Sequence, residues 1–358
     1  MSSATTRAIR IERHGPPDVL VERDIPLREP GPAEVHLRVA AAGVNFADLA
    51  MRMGLYGTVP ARPYSPGFEV AGEVTRVGRD VPGWRAGDRA VALLRHGGYA
   101  HDVVVPAANL FRYPDGLTAI EAAAVPVVFL TAWICLFETG HARRGETVLI
   151  LGAGGGVGTA AVQLAVRQGL RAIGTAGTSH KRSYVVDELG AAACFDSRGG
   201  WESDVRRLVG ERGIDIALDP VGGPATAACR RLLAPLGRLV FYGLSAAMPS
   251  QRRSWLRAAR AWLGTPRVHP LALIEPNIGV FGVHLLHLGA KQTILRPALE
   301  TIYEAVVGGE LKPVVDRAFP LDRDGAVAAH AYLHARRNLG KVVLAGVEAA
   351  SPELRSAR

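Results

Sequence analysis

The sequence predicts an α/β protein of two parts, and three observations carry that expectation. From Arg7 to about Val125 short strand-like runs are broken by Gly and Pro. From Thr147 onward strands and helices take turns, and 358 residues with 48% apolar side chains suffice for two buried cores. In the first region "AIRIE", "EVHLRVAAAGV", "EVAGEVTRVG", "DRAVALL" and "AHDVVVP" read as strands of a mostly β domain. Near Leu117 the character changes. The run "LTAIEAAAVPVVFLTAWICLFETG" has the spacing of two helical segments separated at Pro126, which marks a domain boundary.

Beyond it the strands "TVLILGA", "RAIGTAG", "ACFD", "IDIALDPVG" and "GRLVFYG" are separated by expected helices over 157–168, 181–189, 203–211 and 224–233. Such alternation implies right-handed βαβ units and a parallel sheet covered by helices on both faces. "IGVFGVHLL" suggests a further strand. A helix over 296–307, then "LKPVVDRAFPL", a helix over 326–337 and "GKVVLAG" return to mixed character.

Composition excludes several classes. The apolar run from Ala122 to Leu136 carries Pro126 and falls short of the about 20 residues a bilayer span needs, so no span is expected. "MSSATTRAIRIERHG" has no apolar core or cleavage site of a secretory signal, which makes the cytoplasm the expected location. Cys135, Cys194 and Cys229 are odd in number and far apart, arguing against a disulfide framework or a metal knuckle. The net charge of +9 is carried by arginine, the only lysines being Lys181, Lys291, Lys312 and Lys341. No basic run is interleaved with aromatics along most of the chain, so an anionic small molecule is a more economical partner than nucleic acid.

The stretch "TVLILGAGGGVGTAAVQLA" runs from a buried strand through Gly152, Gly154, Gly155, Gly156 and Gly158 into a helix. Glycines there let the backbone approach a pyrophosphate, whose charge the helix N-terminus favours; the alternative is a tight turn without a ligand. The second strand ends in "RAIGTAGTSHKRS", where an acidic residue would meet the ribose hydroxyls of NAD. No Asp or Glu is present. Thr178, Ser179, His180, Lys181 and Arg182 instead offer hydroxyls and positive charge suited to a 2′-phosphate, hence NADPH; the alternative is a solvated basic helix start.

Taken together, "AAGVNFADLAMRMGLY", "PGFEVAGEVTRVG", "GWRAGDRAVAL", "AAAVPVVFLTAW", "GAGGGVGTAAVQLA", "GTSHK", "IALDPVGG" and "NLGKVVL" resemble the medium-chain dehydrogenase/reductase superfamily, specifically its zinc-free quinone oxidoreductase branch. The likeness covers nearly the whole chain. "VPVVFLTAW" with the glycine turn is similar to polyketide enoyl reductase domains, while "SQRRSWLRAARAWLG" and "GVFGVHLLHL" resemble the vesicle amine transport protein 1 group. The resemblance implies a GroES-like β-rich catalytic domain from 1–126 and 287–358, and a Rossmann domain with a parallel doubly wound sheet at 127–286 inserted into it.

Zinc-dependent relatives have a Cys where this chain has Asn45, a His where it has Phe68, and a four-cysteine lobe that "LLRHGGYAHDVVV" replaces. A catalytic zinc needs three protein ligands, so none is expected, and His96 and His101 read as surface or turn residues. Without a Lewis acid, hydride transfer to a conjugated acceptor is easier than alcohol oxidation, because the charge spreads onto an oxygen that hydrogen-bond donors can stabilise. Asn45 and Tyr56 are the candidate catalytic donors; a backbone-tying Asn and an amphipathic loop aromatic are the alternatives. The resemblance further implies that Asn45 and Thr131 lie at the nicotinamide, Gly155, Gly156, Val157 and Gly158 at the pyrophosphate, and Gly177, Ser179 and Lys181 at the 2′-phosphate end. It places Tyr242 and Gly243 at the strand end beside the cofactor, Phe281 and Val283 on the nicotinamide side, and Arg336 within reach of the adenosine phosphate. Ser197 stands where the family often has Tyr, Ala50 replaces a second family tyrosine, and Asp48 and Glu69 are expected to be structural.

The leading expectation is an NADPH-dependent reductase of quinones or α,β-unsaturated carbonyl compounds, acting as a homodimer. One alternative is an enoyl reductase on a thioester carried by coenzyme A or an acyl carrier. Another is a lipid- or membrane-binding protein that retains a cofactor fold. The last rests on 250–264, "SQRRSWLRAARAWLG", where Trp255, Leu256, Trp262 and Leu263 recur in pairs seven apart among arginines, as in an interfacial helix. A helix packed over the cleft or against a neighbouring subunit is the commoner explanation.

Overall fold

The strand Glu34–Val44 organises the first part of the molecule, because its eleven residues are long enough to pair with three others. In a computed structural model, which describes residues 4–57, 59–248, 256, 259, 263–266 and 269–346, it bonds antiparallel to Glu69–Val77, Asp102–Pro106 and Lys341–Ala345. Register shifts at His36/Leu37 and Val39/Ala41 bend it, as bulges do, which lets one strand serve partners on several sides. The seven-stranded sheet runs Val315–Pro320, Lys341–Ala345, Glu34–Val44, Glu69–Val77, Arg89–Leu93, Leu110–Arg112, with Asp102–Pro106 off that path. Two of its strands therefore come from the end of the chain. Val35, Leu37, Val70, Leu110, Val342 and Leu344 share its core.

The second sheet is parallel, in the order Ala193–Asp196, Arg171–Ala176, Thr147–Ile150, Ile214–Asp219, Leu233–Phe241, Gly279–Gly282. Its first four residues, "TVLI", are buried throughout, as befits a strand covered on both faces. The order 3-2-1-4-5-6 is that of a doubly wound dinucleotide-binding fold, whose switch point falls beside Thr147–Ile150. Thr118 opens the helix Ala119–Ala123 with a capping box to Glu121, and Pro126 starts the next helix, Pro126–Trp133, at a position where its missing N–H costs nothing.

Some boundaries differ from expectation. The helix Gln292–Val307 begins four residues early and carries Pro297 inside it; a proline there reads as a start, yet the buried face from Leu295 to Val306 holds the helix together. The segment "HLL" after Gly279–Gly282 is part of a tight turn, Leu285–Leu288, not strand. The exposed strand Leu20–Pro26, paired with Thr5–Ile11, lacks the buried alternation that would announce it. Among the described residues no helix is long and apolar enough to cross a membrane. Most of the segment 250–264 lies outside the described residues.

The two sheets meet where the loop before Lys341–Ala345 touches the glycine turn. Gly340 N–H donates to the Gly154 carbonyl at 2.9 Å, and Gly155 and Gly340 form a parallel bridge. The last strand of the first sheet is thus delivered to the head of the helix Gly156–Arg167.

Candidate active site

The short helix Phe46–Met53 follows a strand end, and Asn45 stands at its N-cap. Asp48, fully buried, accepts the Asn45 N–H at 2.8 Å and the Gly67 N–H at 2.7 Å, tying the helix to the loop that leads into Glu69–Val77. Burial pushes the Asp48 carboxyl up to about 7 against these two donors. The Asn45 carboxamide turns to a buried ion pair. Lys341 Nζ donates to Asn45 Oδ1 at 2.5 Å and to Glu69 Oε1 at 2.6 Å, and Asn45 Nδ2 donates to the same Glu69 Oε1 at 2.9 Å. Glu69 Oε2 accepts the Val127 N–H at 2.7 Å, near the start of the helix Pro126–Trp133. The side chains of Lys341 and Glu69 are 3% and 0% exposed. A Cβ at Gly43 would collide with Glu69 Oε1, so the central strand needs glycine where the carboxylate passes.

Tyr56 follows this helix. Its ring lies 5.7 Å from Phe68 and 5.3 Å from His284, and His284 lies 4.2 Å from His287, so a file of rings runs from the first sheet's interior to the loop after Gly279–Gly282. Burial, helped by Asp48, raises the Tyr56 phenol to about 12, keeping it a neutral donor. Burial and His287 hold His284 below the usual imidazole range. Ala50, Met53 and Met248 form a small buried cluster against which Tyr56 packs, with Ala50 standing where the family has a tyrosine.

After the strand Thr147–Ile150 of the second sheet, Gly152 turns with φ +67° and the helix Gly156–Arg167 starts from Gly155. A Cβ at Gly158 would collide with the Gly152 carbonyl, so only glycine permits this close return. The first turn of the helix offers backbone N–H groups without partners inside the helix, beside the half-buried Gly155 and Gly156; with Val157 and Gly158 these residues could hold a pyrophosphate there. Gly177 makes the bend after Arg171–Ala176, and Ser179 is the exposed first residue of the helix Ser179–Asp187, capped by Thr178. The Lys181 stem crosses Gly154, and its Nζ donates to the Arg336 carbonyl at 2.7 Å. Its amine is held below the usual range by burial, with Arg336 adding to the effect and Asp316 opposing it.

The structure refines several of the remaining positions. Arg336, in a left-handed conformation at φ +55°, gives Lys181 its carbonyl, while its guanidinium donates to Ser245 O at 3.2 Å and lies over the Phe46 ring. The Thr131 hydroxyl donates to Val127 O at 2.6 Å within its own helix, one turn from the Glu69 contact. Tyr242 and Gly243 leave the strand Leu233–Phe241, and Val283 N–H donates to Phe241 O at 2.7 Å, so these residues gather at one sheet corner. Phe281 sits on the edge strand, 37% exposed, its ring beside its own chain at Gly279. Phe68 is buried among apolar residues, and among the described residues no group of three or more His, Cys, Asp or Glu could hold a metal ion. Sequence reasoning missed Lys341 and His284. The signal for Lys341 was a rare lysine opening an otherwise apolar strand.

A buried polar cluster on a β-rich unit, facing a glycine turn on a doubly wound unit, defines an NAD(P)-dependent oxidoreductase of two domains. Comparison with known proteins agrees. Residues 31–115 match the alcohol dehydrogenase GroES-like domain family, and residues 189–344 match the family described as zinc-binding dehydrogenase. The synaptic vesicle membrane protein VAT-1 homolog of Rattus norvegicus is 36% identical over 88% of this chain and 77% of its own length. The quinone oxidoreductase of Sus scrofa is 30% identical over 94% and 97%. Among solved structures, human VAT-1 homolog-like protein has 31% identity and a TM-score of 0.83, covering 98% of this chain and 100% of that one. The CurK enoyl reductase has 26% and 0.83, covering 96% and 100%. A mycobacterial protein in complex with NADPH has 29% and 0.82, covering 95% and 99%. The chain belongs to the medium-chain dehydrogenase/reductase family, in its zinc-free quinone oxidoreductase-like branch.

Proposed function

We propose that this oxidoreductase transfers hydride from NADPH to a quinone or an α,β-unsaturated carbonyl compound. The observation that carries the reading is the cluster of Asn45, Glu69 and Lys341: at the position where zinc-dependent relatives bind metal, this chain has an amide held by a buried ion pair, next to the glycine turn. An amide donor suits an acceptor whose charge is delocalised. NADPH supplies the hydride when bound. The chain's part is to hold its pyrophosphate at the head of the helix Gly156–Arg167, to meet the 2′-phosphate with Lys181 and Ser179, and to seat the nicotinamide near Thr131, Tyr242 and Val283. Asn45 and Tyr56 orient the acceptor oxygen, and solvent completes protonation. Asp196, the nearby carboxylate on the adjacent strand, is already paired with Arg182 at 3.3 Å and Arg198 at 2.5 Å, which supports a 2′-phosphate over free ribose hydroxyls.

The reading includes domains at 1–126 with 287–358 and at 127–286, and a homodimer. Likeness to an enoyl reductase favours one second reading, an enoyl thioester on coenzyme A or an acyl carrier. The test is an NADPH-consumption screen over ortho- and para-quinones, short and long enones and enoyl thioesters, with NADH in parallel. Turnover of quinones or free enones with NADPH is expected. Reduction of thioesters alone would establish the second reading instead, and NADPH left unconsumed with every acceptor would overturn both.

A further inference from the structure

The Asn45 carboxamide can take only one of its two orientations. A lysine ammonium has no acceptor and an ionised carboxylate has no donor. Lys341 therefore requires the amide oxygen on its side, and Glu69 requires the amide nitrogen on its own, whatever the surrounding packing. The two contacts also close a ring, because Lys341 Nζ and Asn45 Nδ2 share Glu69 Oε1. A ring closed on the edge of the amide that carries Oδ1 uses the Nδ2 hydrogen cis to Oδ1. The trans hydrogen is left pointing away from Lys341 and Glu69, and among the described residues Nδ2 donates only to Glu69. Asn45 itself retains 8% exposure, and a Cβ at Gly43 would meet the Glu69 carboxylate that anchors the ring.

We propose that Lys341 and Glu69 are positioning residues that fix the polarity of Asn45, so that an N–H and never a carbonyl oxygen faces the acceptor, and that this N–H holds the acceptor's developing oxyanion. The proposal rests on the reading of the reaction given above. Bound NADPH would supply the hydride and leave as NADP+; the new C–H bond on an enone's β-carbon or on the quinone would displace a π pair onto the acceptor's carbonyl oxygen, which the Asn45 N–H would hold. Water then protonates the reduced acceptor. A carbonyl oxygen from Asn45 would repel that charge. The Lys341 ammonium on the far side of the same amide polarises it toward a stronger donor.

The double variant Lys341→Met with Glu69→Gln removes both constraints without leaving a buried charge, and Lys341→Arg keeps a donor-only side chain. With a para-quinone, the double variant is expected to lose about 10- to 100-fold in kcat, as for losing one oxyanion donor, with the KM for NADPH changed less than about threefold. Lys341→Arg should recover most of the loss. A readout without turnover is the titration of 4-nitrophenol bound to the cofactor-free protein. Wild type should prefer the phenolate, lowering the bound phenol's pKa by about one unit, and the double variant should show no preference. If wild type reduces quinones but the double variant keeps kcat within about threefold, or Lys341→Arg behaves like the double variant, the polarity assignment falls and the reaction stands. If wild type reduces no quinone or enone yet shows the Lys341- and Glu69-dependent phenolate preference, the reaction falls and the assignment stands. Absence of that preference in wild type overturns the assignment in either case.

Discussion

The amide cluster and the glycine turn each carry a lysine, and the two are handled in opposite ways. Lys341 is almost wholly enclosed, with a carboxylate and an amide oxygen as partners, and it sits on a strand paired on both sides, one in from the edge of its sheet. Lys181 is half-buried near the start of a surface helix, and among the described residues its ammonium donates to a backbone carbonyl. Burying an ion pair costs about as much as the pair returns, so such a pair is retained for the geometry it imposes. A carbonyl contact is weaker and readily exchanged for a phosphate. On the function proposed above, the inner lysine serves shape and the outer one choice of ligand.

The comparison breaks most visibly through stability. Lys341→Met alone strands the Glu69 carboxylate in the interior and is expected to cost about 3–5 kcal/mol of unfolding free energy, whereas Lys341→Met with Glu69→Gln should cost much less. Urea unfolding of the two variants checks this. A cost below about 1 kcal/mol for the single variant would mean that the pair is wetter than its enclosure implies.

Lys181→Ala should leave the urea midpoint unchanged and act on ligand choice. A charge-assisted contact to the 2′-phosphate contributes about 1.5–3 kcal/mol, so NADPH affinity should fall roughly tenfold to a hundredfold while NADH affinity hardly moves. Titration of nicotinamide fluorescence distinguishes the two. Equal losses would assign Lys181 to holding the Arg336 carbonyl and nothing more.

What could be read from the chain divides along the same line. The glycine turn and the basic segment after the second strand are local patterns, visible because adjacent residues do one job. Asn45 and Phe68 were legible as substitutions within known motifs. The partnership of Glu69 with Lys341 spans 272 positions, and no periodicity connects them; only the return of the last strand to the first sheet brings them together. His284 was hidden for a related reason, since it falls inside the expected strand "IGVFGVHLL", where nothing marks it until Tyr56 is found against it.

Asp48 sharpens the inner end further. Its folded value of about 7 lies above the ordinary 3.8, so between those values the unfolded chain is ionised while the folded chain keeps the proton. The unfolded state then binds fewer protons, and stability falls as pH rises through that window, by up to about 1.4 kcal/mol per pH unit. Asp48→Asn should lose that slope. Comparing urea midpoints of wild type and variant at several pH values from 4 to 7 measures it, and parallel curves would show that the backbone donors of Asn45 and Gly67 outweigh burial.

The smallest effect is expected where the inner end meets solvent. Tyr56 lies among Ala50, Met53, Met248 and His284, and its phenol remains protonated up to about pH 12, so it can donate a hydrogen bond to an acceptor oxygen without surrendering its proton. If hydride goes to a quinone or a free enone, removing that bond costs about 1 kcal/mol, and Tyr56→Phe should lower kcat about tenfold or less. The phenol does not titrate between pH 6 and 9, so the loss should be the same across that range. An enoyl thioester reductase that relies on the phenol to deliver a proton to one face would behave differently, losing turnover sharply or scrambling the configuration at the α-carbon. Measuring the variant with a quinone and with an α-substituted enoyl thioester, and following product stereochemistry for the second, separates these cases. A small uniform loss with scrambling absent keeps Tyr56 as an orienting donor, subordinate to the amide that Lys341 and Glu69 hold in place.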